Sequence, residues 1–125
     1  MNIALNLPIK THWLAMIESG RKREEYRGAG NRQANRLWRR WSNRGIPAAT
    51  QAAIFRAGYN PTSRAVAVRL DNILLRGNEW KDRRHEWGEP GGPRAYFAIL
   101  LGGVLASGTY RDVKEKVLSM EGGAE

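Results

Sequence analysis

The sequence predicts one α+β domain, and three observations support that prediction. Apolar residues alternate or cluster with strand character over residues 2–7, 65–75 and 95–105. A helical period near 3.6 occurs over 10–19 and 31–43, so the main helices lie in the first half of the chain. The chain has 125 residues, the usual size of a single domain. We therefore assign residues 1–119 to the domain and 120–125 to a frayed tail.

The predicted elements alternate between strand and helix before the sheet is completed. They are, in chain order, a strand over 2–7, a helix over 10–19, a strand over 21–27, a helix over 31–43, strands over 52–57, 65–75 and 95–105, and a short helix over 110–119. Pro8 closes the first strand, and Gly20 stands where the first helix should end. Asn31 is the predicted N-cap of the second helix.

The second helix has the clearest pattern in the chain. Its apolar residues follow the i, i+3, i+4, i+7 spacing: Ala34, Leu37, Trp38 and Trp41. Its cations lie on the opposite arc: Arg32, Arg36, Arg39 and Arg40. No acidic residue occurs over 31–44, and like charges four residues apart cost about 0.2–0.5 kcal/mol per pair. A polyanion lying across this face would relieve that repulsion; a solvated face is the alternative.

The second half of the chain is predicted to be mostly sheet. Gly58-Tyr59-Asn60-Pro61 is the turn between two strands, and Gly102-Gly103 predicts a bulge or bend in the last one. Residues 77–93 are polar, rich in Gly and Pro, and contain Trp80 and Trp87. A segment of this length is either a functional lid or a mobile charged loop.

The charge of the chain favours a polyanionic partner. Lysine and arginine total 21 against 12 acidic residues, a net charge of +9, and most of the cations are arginines. Arginine forks match phosphate oxygens and stack on flat rings, so the composition favours nucleic acid. We expect RNA or a nucleotide, with DNA as an open alternative. General attraction to any polyanion is the simpler explanation.

Other classes of protein are disfavoured by what the sequence lacks. The absence of cysteine excludes disulfides and thiolate metal sites. His12 and His85 have no carboxylate at ligand spacing, so we predict no metal and no cofactor. No apolar run has membrane-spanning length, and residues 1–7 do not resemble a signal peptide. We expect a cytoplasmic protein without a membrane partner; the sequence does not indicate its oligomeric state.

A charged motif follows the first helix, in the order Gly20-x-Lys22-x-x-Glu25-x-Arg27. In a regular strand Glu25 and Arg27 share one face and Lys22 lies on the other. Lys22 meets Glu25 only if the chain turns just after Gly20. Burying such a cluster costs desolvation unless its charges are paired. It is therefore either a ligand site or a structural Glu25–Arg27 bridge beside a solvated lysine.

This motif resembles the signature of the ASCH family, which is related to the PUA-like barrels. Three later segments are similar to a bacterial and phage branch of that family: Phe55-Arg56-x-Gly58-Tyr59, Glu86-Trp87-Gly88, and Tyr96-Phe97-x-Ile99-x-Leu101-Gly102. The resemblance covers residues 3–43, 53–75 and 86–105. It implies a small β-barrel of five to six strands, with a ligand cleft between the start of the first helix and the Lys22 strand.

The resemblance further implies an RNA- or nucleotide-binding domain with a basic cleft. The residues expected to line the cleft are Lys10, Lys22, Glu25, Arg27, Arg56 and Tyr59. Arg69, a cation within a strand of small apolar residues, is expected to face the nucleic acid too. The arginines of the second helix would extend the contact along a phosphate backbone.

An enzyme is the alternative, hydrolysing RNA or a modified nucleobase with Lys22 and Glu25 as an acid–base pair. One ASCH branch deacetylates N4-acetylcytidine and has a threonine where this chain has Glu25, which argues against that activity. Another family member is described as a ribonuclease, a role in which Ser107 or Thr109 would assist. A protein-binding module built on the Trp-rich 77–93 segment is the third hypothesis.

Overall fold

The computed structural model describes residues 1–42, 44–47, 51–77 and 95–120, and it confirms the α+β class. The described elements are β1 (Asn2–Pro8), α1 (Thr11–Glu18), β2 (Glu24–Gly28), α2 (Arg32–Trp41), β3 (Gln51–Arg56), β4 (Arg64–Gly77), β5 (Ala95–Thr109) and α3 (Tyr110–Ser119). Every predicted element is present. β2 is shorter than predicted because the chain turns before it, and β5 runs on to the start of α3.

The strands form one mixed sheet in the order β1-β3-β4-β5-β2. β1 and β3 are parallel, whereas the other three pairs are antiparallel. A parallel pair needs a long crossover, and here α1, β2 and α2 supply it. The first and second strands of the chain thereby become the two edges of the sheet.

The two sheet edges are joined by a side chain. No backbone pairing between β1 and β2 occurs in the described residues, so the predicted barrel is not closed by strand hydrogen bonds. Arg27 on β2 instead donates from Nη2 to the carbonyl oxygen of Pro8, the last residue of β1, at 2.7 Å. The description as a barrel therefore fits approximately, with an opening where the edges approach each other.

Farther along the same edge, β1 is covered by Gln33 of α2. The side-chain Oε1 of Gln33 accepts from the backbone N–H of Asn6 at 3.1 Å, and its Nε2 donates to the Asn6 carbonyl at 3.2 Å. The amide makes both bonds that a neighbouring strand residue would make. Unpaired edge groups invite pairing with another chain, and Gln33 removes one such pair.

Apolar side chains pack on both faces of the sheet. On one face the strands contact α1 and α2 through large residues, which include Leu5, Leu7, Leu14, Ile17, Leu37, Phe55 and Phe97. On the other face α3 packs on smaller residues, namely Ala52, Ile54, Ala65, Ala67 and Ala106, through Val113 and Val117. Strand alternation sends neighbouring residues to opposite faces, so the two helical layers are separated by the sheet.

The predicted irregularity at Gly102-Gly103 is confirmed. These two residues of β5 lie opposite one residue of β4, Arg69, between the pairs Leu101↔Leu70 and Val104↔Val68. A Cβ on Gly102 would lie 2.6 Å from Asp71 Oδ1 and 3.1 Å from Arg69 Cβ. Glycine fits there without rearrangement, whereas a larger residue would require Asp71 to move its carboxylate and would press on Arg69.

Two sequence predictions fall outside the described residues. They concern the 77–93 segment beyond Gly77 and residues 121–125 of the tail. Within the described ranges, no helix combines the length and apolar character needed to cross a bilayer.

The start of α2 gives a test of how this helix is stabilised. Asn31 Oδ1 accepts from the Ala34 N–H at 3.0 Å, as predicted for an N-cap. We expect Asn31→Ala to lower the free energy of unfolding by about 1 kcal/mol because a helix N–H loses its acceptor. Asn31→Ser should keep most of the stability. Urea unfolding of the three proteins measures this, and equal midpoints for all three would contradict the capping role.

Candidate functional site

The Gly20 turn sets the position of the charged motif. α1 ends at Glu18, and Gly20 has φ +79°, a conformation that favours glycine. The Gly20 N–H donates to Ile17 O at 3.1 Å, and the Lys22 N–H donates to Met16 O at 3.0 Å. The chain therefore folds back against its own helix, and Lys22 precedes β2. This turn just after Gly20 is the condition under which Lys22 was expected to meet Glu25.

Lys22, Glu25 and Arg27 form a compact ionic cluster. Lys22 Nζ lies 3.5 Å from Glu25 Oε1. Arg27 donates to Glu25 Oε2 from Nη2 at 2.6 Å and from Nε at 3.1 Å. The side chains of Lys22 and Glu25 are only 6% and 7% exposed. Lys22 and Arg27 thus share the carboxylate of Glu25.

The ammonium of Lys22 is also enclosed by aromatic rings. Nζ lies 5.0 Å from the centroid of the Trp13 ring and 5.1 Å from that of Tyr26. Such cation–π contacts and the ion pair together offset the cost of burying the charge. The alternative of a solvated lysine beside a Glu25–Arg27 bridge is therefore wrong.

A cavity of about 220 Å³ lies at the opening between the sheet edges, and we call it the edge pocket. Its lining residues are Pro8, Ile9, Lys10, Trp13, Glu25, Tyr26 and Arg27. Glu25 and Arg27 offer a hydrogen-bond acceptor and donor, and Trp13 and Tyr26 offer flat apolar surfaces. Sites for drug-sized ligands measure about 300–1,000 Å³, so this pocket suits one small planar group.

Lys10 and Lys22 occupy different positions relative to the edge pocket. Lys10 is exposed at the N-cap of α1, where no side chain caps the helix. Lys22 lines a neighbouring hollow that shares Trp13 and Tyr26 with the edge pocket. Lys22 thus lies behind the pocket wall and holds Glu25 in position from there.

Arg56 and Tyr59 are not brought to the edge pocket, so the prediction that they line the same cleft is wrong. Phe55 joins the core beneath α1 and α2, and alternation sends Arg56 to the α3 side. There its guanidinium carbon lies 3.4 Å from the centroid of the Tyr110 ring. Tyr59 lies in the following turn, also beside α3.

The remaining predicted cations lie elsewhere on the domain. Arg32, Arg36, Arg39 and Arg40 are exposed and line a shallow hollow on the outer face of α2. Arg69 is half-buried beside the Gly102-Gly103 bulge. Whether these arginines contact nucleic acid stays a prediction.

Sequence reasoning missed the aromatic part of the site. Trp13 was assigned only to the apolar face of the first helix, yet it lines the edge pocket beside Tyr26. The usable signal was its position next to His12 and three residues after Lys10, at the start of the helix that leads into the motif. Within the described residues, no group of three or more histidine and acidic side chains is placed to hold a metal ion.

The ionic cluster predicts a measurable coupling. Glu25→Gln keeps the shape but leaves two cations without their carboxylate, and we expect it to lower the free energy of unfolding by about 3 kcal/mol. Adding Lys22→Met should recover part of that loss because one of the two cations that lose this carboxylate is removed. Urea unfolding of wild type, both single variants and the double variant measures the coupling. A coupling free energy below about 0.5 kcal/mol would show that Lys22 and Glu25 are not energetically linked.

Comparisons with known proteins give one structural likeness. No family model matches the chain, and no curated protein matches it significantly. A crystal structure of a mutant ZmASCH protein from Zymomonas mobilis is similar over 95% of this chain and 82% of its own. The identity is 14% and the TM-score is 0.49, values too low to establish a shared family.

Proposed function

We propose that this domain binds RNA, or a nucleotide derived from it, with one base in the edge pocket. The observation that supports the proposal is the buried Lys22–Glu25–Arg27 cluster, in which a lysine and an arginine share one carboxylate beside a pocket with flat walls. The choice of RNA over DNA rests on the ASCH resemblance of the motif.

Each part of the pocket has a role in this proposal. The base lies against Trp13 or Tyr26, since stacking on aromatic rings is common in the recognition of unpaired bases. Glu25 accepts from its edge, and Arg27 donates to it from Nη1, since Nε and Nη2 already bond to Glu25 and Pro8. Lys10 binds a phosphate at the rim, beside the first N–H groups of α1, which favour anions.

The arginine face of α2 extends the contact beyond the pocket. α2 follows β2 through a short turn in which the Asn31 N–H donates to Gly28 O at 2.9 Å. The helix therefore begins close to Arg27. A strand leaving the edge pocket can run along the exposed arginines and relieve their mutual repulsion.

Binding is favoured over acid–base catalysis by how Glu25 is held. Lys22 approaches one of its oxygens and Arg27 donates to the other. The carboxylate is thus arranged as a fixed acceptor. Lys22 lines the neighbouring hollow and not the edge pocket. The hydrolase hypothesis is kept as an outcome of the experiments below.

Salt dependence tests the phosphate contacts. We expect Lys10→Ala and Arg36→Ala each to reduce the slope of log Kd against log salt by about 0.7, since each removes one phosphate contact to a single strand. Fluorescence anisotropy with a labelled oligouridylate at several salt concentrations measures the slope. Lys116→Ala, an exposed cation on α3, is the matched control and should leave the slope unchanged. Affinity independent of salt for the wild type would refute the proposal.

The pocket itself is tested by Arg27→Lys, which keeps the charge and removes the planar guanidinium with its Nη1 donors. We expect about tenfold weaker binding of both a mononucleotide and an oligonucleotide, with an unchanged salt slope. The same RNA should stay intact on a denaturing gel. If the wild type cleaves it and Lys22→Met abolishes cleavage while affinity is retained, the protein is an enzyme instead.

A further inference from the structure

A second hollow lies on the opposite side of the sheet from the arginine helix. It measures about 430 Å³ and lies between α3 and the turn that joins β3 to β4. The sheet separates it from α1 and α2, because α3 packs on the other layer of side chains. None of its lining residues is shared with the edge pocket. We call this surface the α3 face; the residues that matter below are Arg56, Tyr59, Tyr110, Arg111, Lys114 and Glu115.

Tyr59 presents its ring to solvent from a constrained turn. The residue is 80% exposed, the most exposed large apolar or aromatic side chain in the described chain. Gly58 has φ +141°, and Ser63 Oγ accepts from the Asn60 N–H at 3.1 Å. The backbone on both sides of Tyr59 is therefore fixed. An exposed ring held on a fixed turn can stack on a base with little loss of conformational entropy.

Arg56 is held rigidly beside that turn. Its Nε donates to Gly58 O at 2.7 Å and its Nη2 donates to Asn60 O at 3.2 Å. Its guanidinium lies over the Tyr110 ring, whose hydroxyl accepts from Asn6 Nδ2 at 2.6 Å. These partners are carbonyls and a ring, so the arginine is positioned while its charge is not neutralised.

The α3 face carries more positive than negative charge. Arg111 and Lys114 are exposed on α3 and line the hollow together with Arg56, and Glu115 is the acidic residue in the lining. Three cations and one anion give a net charge of +2. Within the described residues, none of these three cations makes an ion pair with a carboxylate. The face therefore has unmatched charge available for an anionic partner.

We propose that the α3 face is a second contact surface for single-stranded nucleic acid, in which Tyr59 stacks on a base and Arg111 and Lys114 bind phosphates. Cations interleaved with an exposed aromatic ring are the combination that binds single strands without sequence preference. An acidic protein segment would use the cations but not the ring. The choice of nucleic acid as the ligand rests on the proposed function. The location of this second surface does not depend on the edge pocket.

The experiment compares labelled oligouridylates of about 4 and about 20 nucleotides, lengths that bracket the usual site sizes of single-strand binding domains. We expect Tyr59→Ala to weaken binding of the long strand at least fivefold, and Tyr59→Phe to leave it unchanged because the ring is retained. Arg111→Ala with Lys114→Ala should lower the salt slope for the long strand by about 1.4. Lys116→Ala is the control for loss of charge on the same helix.

Separate outcomes distinguish the two proposals. If Arg27→Lys weakens binding and Tyr59→Ala does not, the edge pocket binds RNA and the α3 face does not. If Tyr59→Ala weakens binding and Arg27→Lys does not, the α3 face is the nucleic-acid surface and the edge pocket is not. Amide chemical shifts of Tyr59 and α3 must move with the long strand. Equal weakening by Tyr59→Phe and Tyr59→Ala, or binding of an acidic peptide in place of RNA, would overturn the stacking proposal.

Discussion

The carboxylate of Glu25 connects the parts of this domain that form its opening. It pairs with Lys22, which the Gly20 turn brings back toward α1, and it accepts two bonds from Arg27. Arg27 in turn bonds to Pro8 and so reaches the other edge of the sheet. The network that joins the edges is thus the same network that gives the edge pocket its charge. A substitution that weakens the contact between the sheet edges therefore also disturbs the charged lining of the edge pocket.

The sheet separates two basic surfaces of different construction. On one side, the edge pocket combines a buried ionic cluster with two aromatic walls, and the arginines of α2 lie beyond it in solvent. On the other side, the cations of α3 surround a single exposed ring. The high net charge of the chain is therefore spread over both faces. A long flexible polyanion can contact both, whereas a small nucleotide can occupy only one at a time.

Most of the fold could be predicted from the sequence because its elements are set locally. The period of α2, its Asn31 cap, and the paired glycines opposite Arg69 each depend on a few neighbouring residues. The site was predictable only in part. Lys22 and Glu25 meet because of a turn at Gly20, but the closing contact from Arg27 to Pro8 depends on sheet topology. The prediction that Arg56 lines the same cleft was wrong because side chains alternate along a strand, so Arg56 lies on the face opposite Phe55.

The pairing of Gln33 with Asn6 has a consequence for how copies of this protein meet. A side-chain amide occupies a position on β1 where the backbone of another molecule would otherwise add as an extra strand. Gln33 belongs to the helix that carries the arginines, so a strand that added at Asn6 would have to displace the Gln33 side chain. The packing of α2 on the sheet therefore protects one pair of edge groups on β1 while the arginines of the same helix stay exposed.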